Sequence, residues 1–88
     1  MEIVIGKATM THSKEDGYVG NVEFQVEGHK ATYEITIYRK NGKEWMYGLH
    51  FQGESGDEDQ LYEIEDLIDE NDEVFGKFVD AATAALVK

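Results

Sequence analysis

Residues 21–38, NVEFQVEGHKATYEITIY, settle the architecture. Val22, Phe24 and Val26 alternate with Asn21, Glu23 and Gln25, and Tyr33, Ile35 and Ile37 alternate with Thr32, Glu34 and Thr36. Successive side chains on a strand point to opposite faces, so these runs predict two strands, each with one apolar and one polar face. A two-residue loop at Gly28-His29 sets Glu27 opposite Lys30, Val26 opposite Ala31, Phe24 opposite Tyr33 and Val22 opposite Ile35. That register gathers the large apolar residues on one face, and glycine at the first loop position suits a type II′ turn.

Working outward, Trp45, Tyr47, Leu49 and Phe51 form another alternating set. The dipeptide Asn41-Gly42 alone suggests a two-residue type I′ loop, but that loop pairs Tyr38 with Trp45 and mixes the faces. A three-residue loop, Lys40-Asn41-Gly42 with Gly42 in a G1 bulge, instead pairs Ile37 with Trp45, Ile35 with Tyr47 and Tyr33 with Leu49. A one-residue slip flips every side chain, so the apolar pattern outweighs the dipeptide. Residues 2–10, EIVIGKATM, read as a first strand with Gly6 a candidate bulge, and Thr11–Gly17 as the polar loop after it.

From Ser55 the period changes. Ser55-Gly56-Asp57-Glu58 fits a capping box, and acids suit a helix N-terminus. Leu61, Ile64, Leu67 and Ile68 follow on one helical face; Val74, Phe75, Phe78, Val79, Ala82, Ala85 and Leu86 make a second stripe that ends near Lys88. One helix over residues 57–87 would be about 46 Å long, overhanging a sheet whose eight-residue strands span about 27 Å. Asn71 followed by Asp72 and Glu73 is a good cap and first turn, so the sequence predicts two helices with a break near residues 69–72. Gly76 inside the second helix costs roughly 1 kcal/mol against alanine, and a close approach to the sheet is the expected reason for it.

The expected fold is α+β: a four-stranded antiparallel meander followed by two C-terminal helices packed on one face of the sheet. Its strands cover about 2–10, 18–27, 30–39 and 43–52, and its helices about 57–69 and 72–87, in a single domain over residues 1–88. Eighty-eight residues leave no room for a second core, and 41% hydrophobic with 11% aromatic content suffices to fold without staples. With no cysteine, disulfides, thiolate metal sites and a cysteine nucleophile are excluded. Residues 1–10 lack a secretory leader, and no apolar run reaches the roughly 20 residues that span a bilayer. A cytoplasmic protein without membrane association is the expectation.

Charge is partitioned along the chain. Residues 1–43 carry six acids and six bases, whereas residues 44–88 carry thirteen acids against Lys77 and Lys88, the whole of the net −11. Eleven carboxylates fall between Glu54 and Glu73 without a lysine or arginine. Such a field repels DNA, RNA and anionic lipid and attracts basic surfaces, which excludes direct nucleic-acid binding. Asp59, Glu63, Asp66 and Glu70 follow i, i+4, i+7, i+11 spacing and line one helical stripe away from Leu61, Ile64 and Ile68. Neighbours at that spacing are about 5–6 Å apart between Cβ atoms, with no lysine to relieve them, so the row costs helix stability. Three readings follow: a solvated face that maintains solubility, a partner-binding row that imitates nucleic-acid phosphates, or loose cation binding.

Other constellations carry less. An EF-hand loop needs D-x-[DN]-x-[DN]-G; from Asp57 the fifth and sixth positions are Leu61 and Tyr62, and from Asp69 they are Glu73 and Val74, so both fail. Glu23 falls directly across from Glu34 on the outer sheet face, with Gly48 beside Glu34. Opposed carboxylates are destabilising in a sheet and serve glycoside hydrolysis when held in a pocket. The surrounding face (Val19, Thr32, Thr36, Tyr38, Met46, His50) is expected to be open and flat. His12 in the first loop, His29 in a turn and His50 on the outer face have no zinc-ligand spacing. Ser13 is read as a loop residue and Ser55 as a cap; Trp45, Phe51, Phe75 and Phe78 are read as core.

In charge and size the chain resembles small acidic proteins that phages make to inhibit DNA-binding proteins, a likeness that transfers no residue. The sequence thus predicts a non-enzymatic module, without metal or cofactor, whose acidic helix docks on a basic protein surface. Asp59, Glu63, Asp66 and Glu70 are the site, and Glu23, Glu34, Glu58, Glu65 and Asp69 are secondary acidic candidates. The alternative is a structural or oligomerisation domain, monomer or homodimer, whose acidity serves solubility.

Overall fold

The computed structural model describes residues 2–40, 44–53 and 56–86. Strands β1 (Ile3–Ser13), β2 (Gly17–Val26), β3 (Thr32–Arg39) and β4 (Met46–Phe51) form an antiparallel meander in the order β1-β2-β3-β4. Helices α1 (Glu58–Glu70) and α2 (Asp72–Leu86) follow and pack on its apolar face. α2 lies over β1 and β2, and α1 lies beside α2 over β4. The sheet end at β4 therefore carries the acidic helix, and the sheet end at β1 does not.

The central register is the one the apolar pattern demands: Val22 faces Ile35, Phe24 faces Tyr33, and Glu23 faces Glu34. Val22, Phe24, Tyr33, Ile35 and Ile37 are almost fully buried with Ile64, Ile68, Phe78 and Ala82 beneath the helices. Phe24, Tyr33 and Phe51 form one cross-strand ring row with centroids 5.5 and 5.7 Å apart, and Phe78 of α2 closes on Phe24 at 4.7 Å. Phe51, Phe75 and Trp45 are half-buried at the margin of this core, not inside it.

Four local readings are corrected. The β2–β3 turn is centred on Glu27-Gly28, closed by the His29 N–H donating to the Val26 carbonyl at 2.9 Å. Gly28, with φ of 90°, takes the third position, where a type II turn needs it, in place of the first. β4 is offset by two residues from the expected pairing: Tyr33 faces Phe51, Ile35 faces Leu49 and Ile37 faces Tyr47. A slip of two keeps every side chain on its own face, so the apolar pattern cannot exclude it. The proposed G1 bulge at Gly42 lies outside the described residues. Third, the strand β1 continues through Ser13, so His12 sits on a strand opposite Tyr18 and the loop shrinks to residues 14–16. Last, α1 is capped by Asp57, whose carboxylate accepts from the Asp59 N–H at 2.9 Å, and Ser55 lies outside the described residues.

Two irregularities follow the sequence reading. The β1–β2 register shifts between Ile5 and Ala8, a bulge at Gly6-Lys7. The helices break at Asn71, whose φ of −128° and ψ of 98° leave the helical region. Its N–H donates to the Leu67 carbonyl at 2.9 Å and its Oδ1 accepts from the Glu73 N–H at 3.0 Å, so one residue ends α1 and caps α2. Helix α1 thereby stays short enough to sit over the sheet, and its acids follow a straight stripe.

Two glycines separate backbone need from packing need. Gly17 has φ of 74°, and a Cβ there would collide with the Arg39 carbonyl and lie 2.9 Å from the Lys40 Cα. Gly76 has nothing within 4 Å of where a Cβ would be, which overturns the close-approach explanation for it. Gly17→Ala should therefore cost about 2 kcal/mol or more, whereas Gly76→Ala should stabilise by about 1 kcal/mol. Urea unfolding of the two variants against the parent checks both signs.

Candidate functional site

Helix α1 turns Ile64 and Ile68 into the core, which fixes its rotation about its own axis. Asp59, Glu63, Asp66 and Glu70 then all face solvent, on the stripe the spacing predicts. A second line runs beside it with the same spacing: Glu58, Tyr62, Glu65 and Asp69. Tyr62 is 55% exposed and stands in that second line between Glu58 and Glu65. Sequence reasoning passed over it because its position is neither on the apolar face nor charged. The available signal was an aromatic residue at an i+4 position within an acidic line.

The second line is anchored. The Tyr47 hydroxyl of β4 donates to Asp69 Oδ1 at 2.5 Å and lies 3.4 Å from the Glu65 carbonyl oxygen. Burial first, then this hydrogen bond, then the negative charge of Asp69, Glu65 and Asp66, push the Tyr47 phenol well above its ordinary range. At the other end of α1, burial and the charges of Asp57 and Glu63 raise the Tyr33 phenol, whose oxygen lies 2.9 Å from His29 Nδ1. The field of α1 thus reaches two phenols of the sheet beneath it. Among the described residues, no cation pairs with a carboxylate of α1.

The outer-face candidates behave differently. Glu23 and Glu34 do oppose each other, but the β4 offset puts His50, not Gly48, beside Glu34. His50 Nε2 lies 2.7 Å from Glu34 Oε1; since a carboxylate only accepts, the imidazole donates from Nε2. On the far side Lys7, from the β1 bulge, lines the same shallow depression as Glu23 and Glu34. A row from Lys7 through the two glutamates to His50 brackets the like charges with basic groups. Asn21 and Thr36 continue the polar face, the threonine hydroxyl donating at 2.7 Å. The face is open, with Tyr38 and Met46 exposed at one end, and offers no deep pocket around the glutamates.

Among the described residues, no group of three or more histidine, aspartate or glutamate side chains has the geometry to hold a metal ion. No helix among them is long and apolar enough to cross a membrane. The chain matches no known family profile, and no curated protein or solved structure is significantly similar to it.

The two phenols carry a pH dependence whose sign is determined. Below about pH 10 tyrosine is neutral in both folded and unfolded chains. Above it the unfolded chain ionises while the folded phenols resist, so stability present at neutral pH is lost as pH rises. Tyr47→Phe should cost about 1 kcal/mol at neutral pH through the lost hydrogen bond, yet make the alkaline decline shallower. Urea midpoints measured from neutral to strongly alkaline pH test this: a parallel decline in parent and variant contradicts it.

Proposed function

We propose that this protein is a non-enzymatic binding module that uses α1 to occupy a basic surface of a partner protein, one that otherwise receives a nucleic-acid backbone. The observation that carries the reading is the acidic stripe Asp59, Glu63, Asp66 and Glu70 on α1, exposed and unpaired with any cation among the described residues, beside a second, partly acidic line that holds exposed Tyr62. Carboxylates repeated along a rigid helix present regular negative charge, as phosphates do along a nucleic-acid strand. Exposed tyrosine within such a field is a residue type that dominates binding energy at protein interfaces, because it buries a large area at small entropic cost. Lysine and arginine clusters on the partner would supply the complementary charge, and long-range attraction would speed encounter.

Energetics favour this reading over a face kept only for solubility. Like charges at i, i+4 each cost a few tenths of a kcal/mol, and acids scattered over both faces of the molecule would solubilise it without that cost. Glu23 and Glu34, bracketed by Lys7 and His50, are the weaker attractors. Asp69 contributes charge while its position is held by Tyr47.

Neutralising the stripe with Asp59→Asn, Glu63→Gln, Asp66→Asn and Glu70→Gln should move stability and binding in opposite directions. The variant should unfold about 1 kcal/mol later than the parent, from three relieved like-charge pairs. It should lose capture of the basic partner from host lysate at low salt, while the parent releases that partner as salt screens charge beyond about 10 Å or as duplex DNA is added. Tyr62→Ala should weaken the same capture about tenfold or more without altering its salt dependence. Equal capture by parent and neutralised variant would reject the reading.

A further inference from the structure

From the edge strand β1 and the partition of charge across the sheet, we infer that two copies of this chain associate through β1, residues Ala8–His12 pairing antiparallel about Met10. The sheet has two ends, and they differ. β4 is six residues long and lies under α1, so copies meeting there would bring their acidic helices together. β1 is eleven residues long at the opposite end. Residues 3–14 contain no aspartate or glutamate, and Lys7 and Lys14 flank the run 8–13. In a chain of net charge −11, this is the edge at which a second copy meets least repulsion.

Backbone parity selects the segment. In an antiparallel ladder alternate residues turn both backbone groups toward the neighbour. The Glu2 carbonyl accepts from the Glu27 N–H, so Glu2 and Val4 face β2, and Ile3 and Ile5 turn their N–H and C=O outward. Beyond the bulge the parity changes. The Thr9 carbonyl oxygen lies 2.7 Å from where a Cβ on Gly20 would sit, so Thr9 and Thr11 face β2. Ala8, Met10 and His12 therefore direct theirs outward. The bulge thus divides the edge into a short piece and a longer one, and only the longer offers three outward residues in phase.

Two-fold pairing about Met10 places Met10 opposite Met10 of the second copy, Ala8 opposite His12, and Thr9 opposite Thr11. The threonines meet twice on the solvent face, as a close pair without backbone hydrogen bonds, and threonine pairs across strands are favourable. Exposed Val4, at 58%, lies beyond the pairing segment on the same edge strand. The product is an eight-stranded sheet with its outermost strands about 34 Å apart, at about 4.8 Å per strand. An acidic α1 stands at each end, so a partner with two basic patches would gain avidity. The association rests on β1 alone and does not require that α1 bind anything.

Sedimentation equilibrium on the whole chain tests it. The parent should run at twice its 10.0 kDa at high concentration and dissociate on dilution. Thr9→Glu with Thr11→Glu, two exposed positions, sets carboxylate against carboxylate and should give monomers with an unchanged circular-dichroism spectrum. Thr9→Lys with Thr11→Lys should do the same, and an equimolar mixture of the two variants should restore the dimer mass. If a variant fails to fold, hydrogen exchange on the parent decides: amides of Ala8, Met10 and His12 should slow at least tenfold between dilute and concentrated samples. A parent that stays at 10.0 kDa throughout, a dimer that survives the glutamates, or amides indifferent to concentration each overturns the inference. None of these results bears on capture by α1, so the two readings fail separately.

Discussion

Everything in this structure depends on one contact, Phe78 of α2 against the ring row Phe24, Tyr33 and Phe51. Three adjacent strands contribute to that row, so their relative register must hold for the rings to align. Each ring buries a large apolar area, and together they supply the interior that a short chain can hardly obtain otherwise. Once Phe78 is seated, α2 is placed over β1 and β2, Asn71 turns the chain back, and α1 has only the β4 side of the sheet left to cover.

That placement determines the electrostatics. α1 must give Ile64 and Ile68 to the core, and the exposed stripe on its far side is acidic at Asp59, Glu63, Asp66 and Glu70. Tyr47 clamps the second line through Asp69, and burial, that hydrogen bond and the neighbouring carboxylates together push its phenol upward. A helix that carries unrelieved repulsion along its length is kept folded by apolar packing on its other side. The strain therefore sits on a rigid element, where regular spacing of the charges survives. The strand at the opposite sheet edge is free of carboxylates and carries Lys7, so the acidic helix and the carboxylate-free strand lie at different ends of the sheet.

Much of this was legible in the residues. Alternation in 21–38 identifies the strands, their buried face and the pairing of Phe24 with Tyr33, because two facing apolar sets admit few registers. Gly6 as a bulge and Asn71 as a break could be read because each residue type has a local conformational reason to be there. The acidic stripe could be read because helical spacing is regular. Other features were out of reach. The two-residue offset of β4, which exchanges Gly48 for His50 beside Glu34, keeps every side chain on its expected face. The contact between Tyr47 and Asp69 joins residues 22 apart in sequence and depends on that offset.

Periodicity and its consequences follow from the residues alone: which side chains face inward, where strand gives way to helix, and where the charge lies along the chain. Those properties follow from backbone geometry, which repeats every two or every 3.6 residues whatever the surroundings. Packing in three dimensions selects which of several face-preserving registers β4 adopts, leaves Tyr62 exposed among the acids, and sets the acidic helix and the carboxylate-free strand at opposite ends of one sheet. Those depend on how separate elements share a single core, and local pattern is silent on distances between residues far apart in the chain.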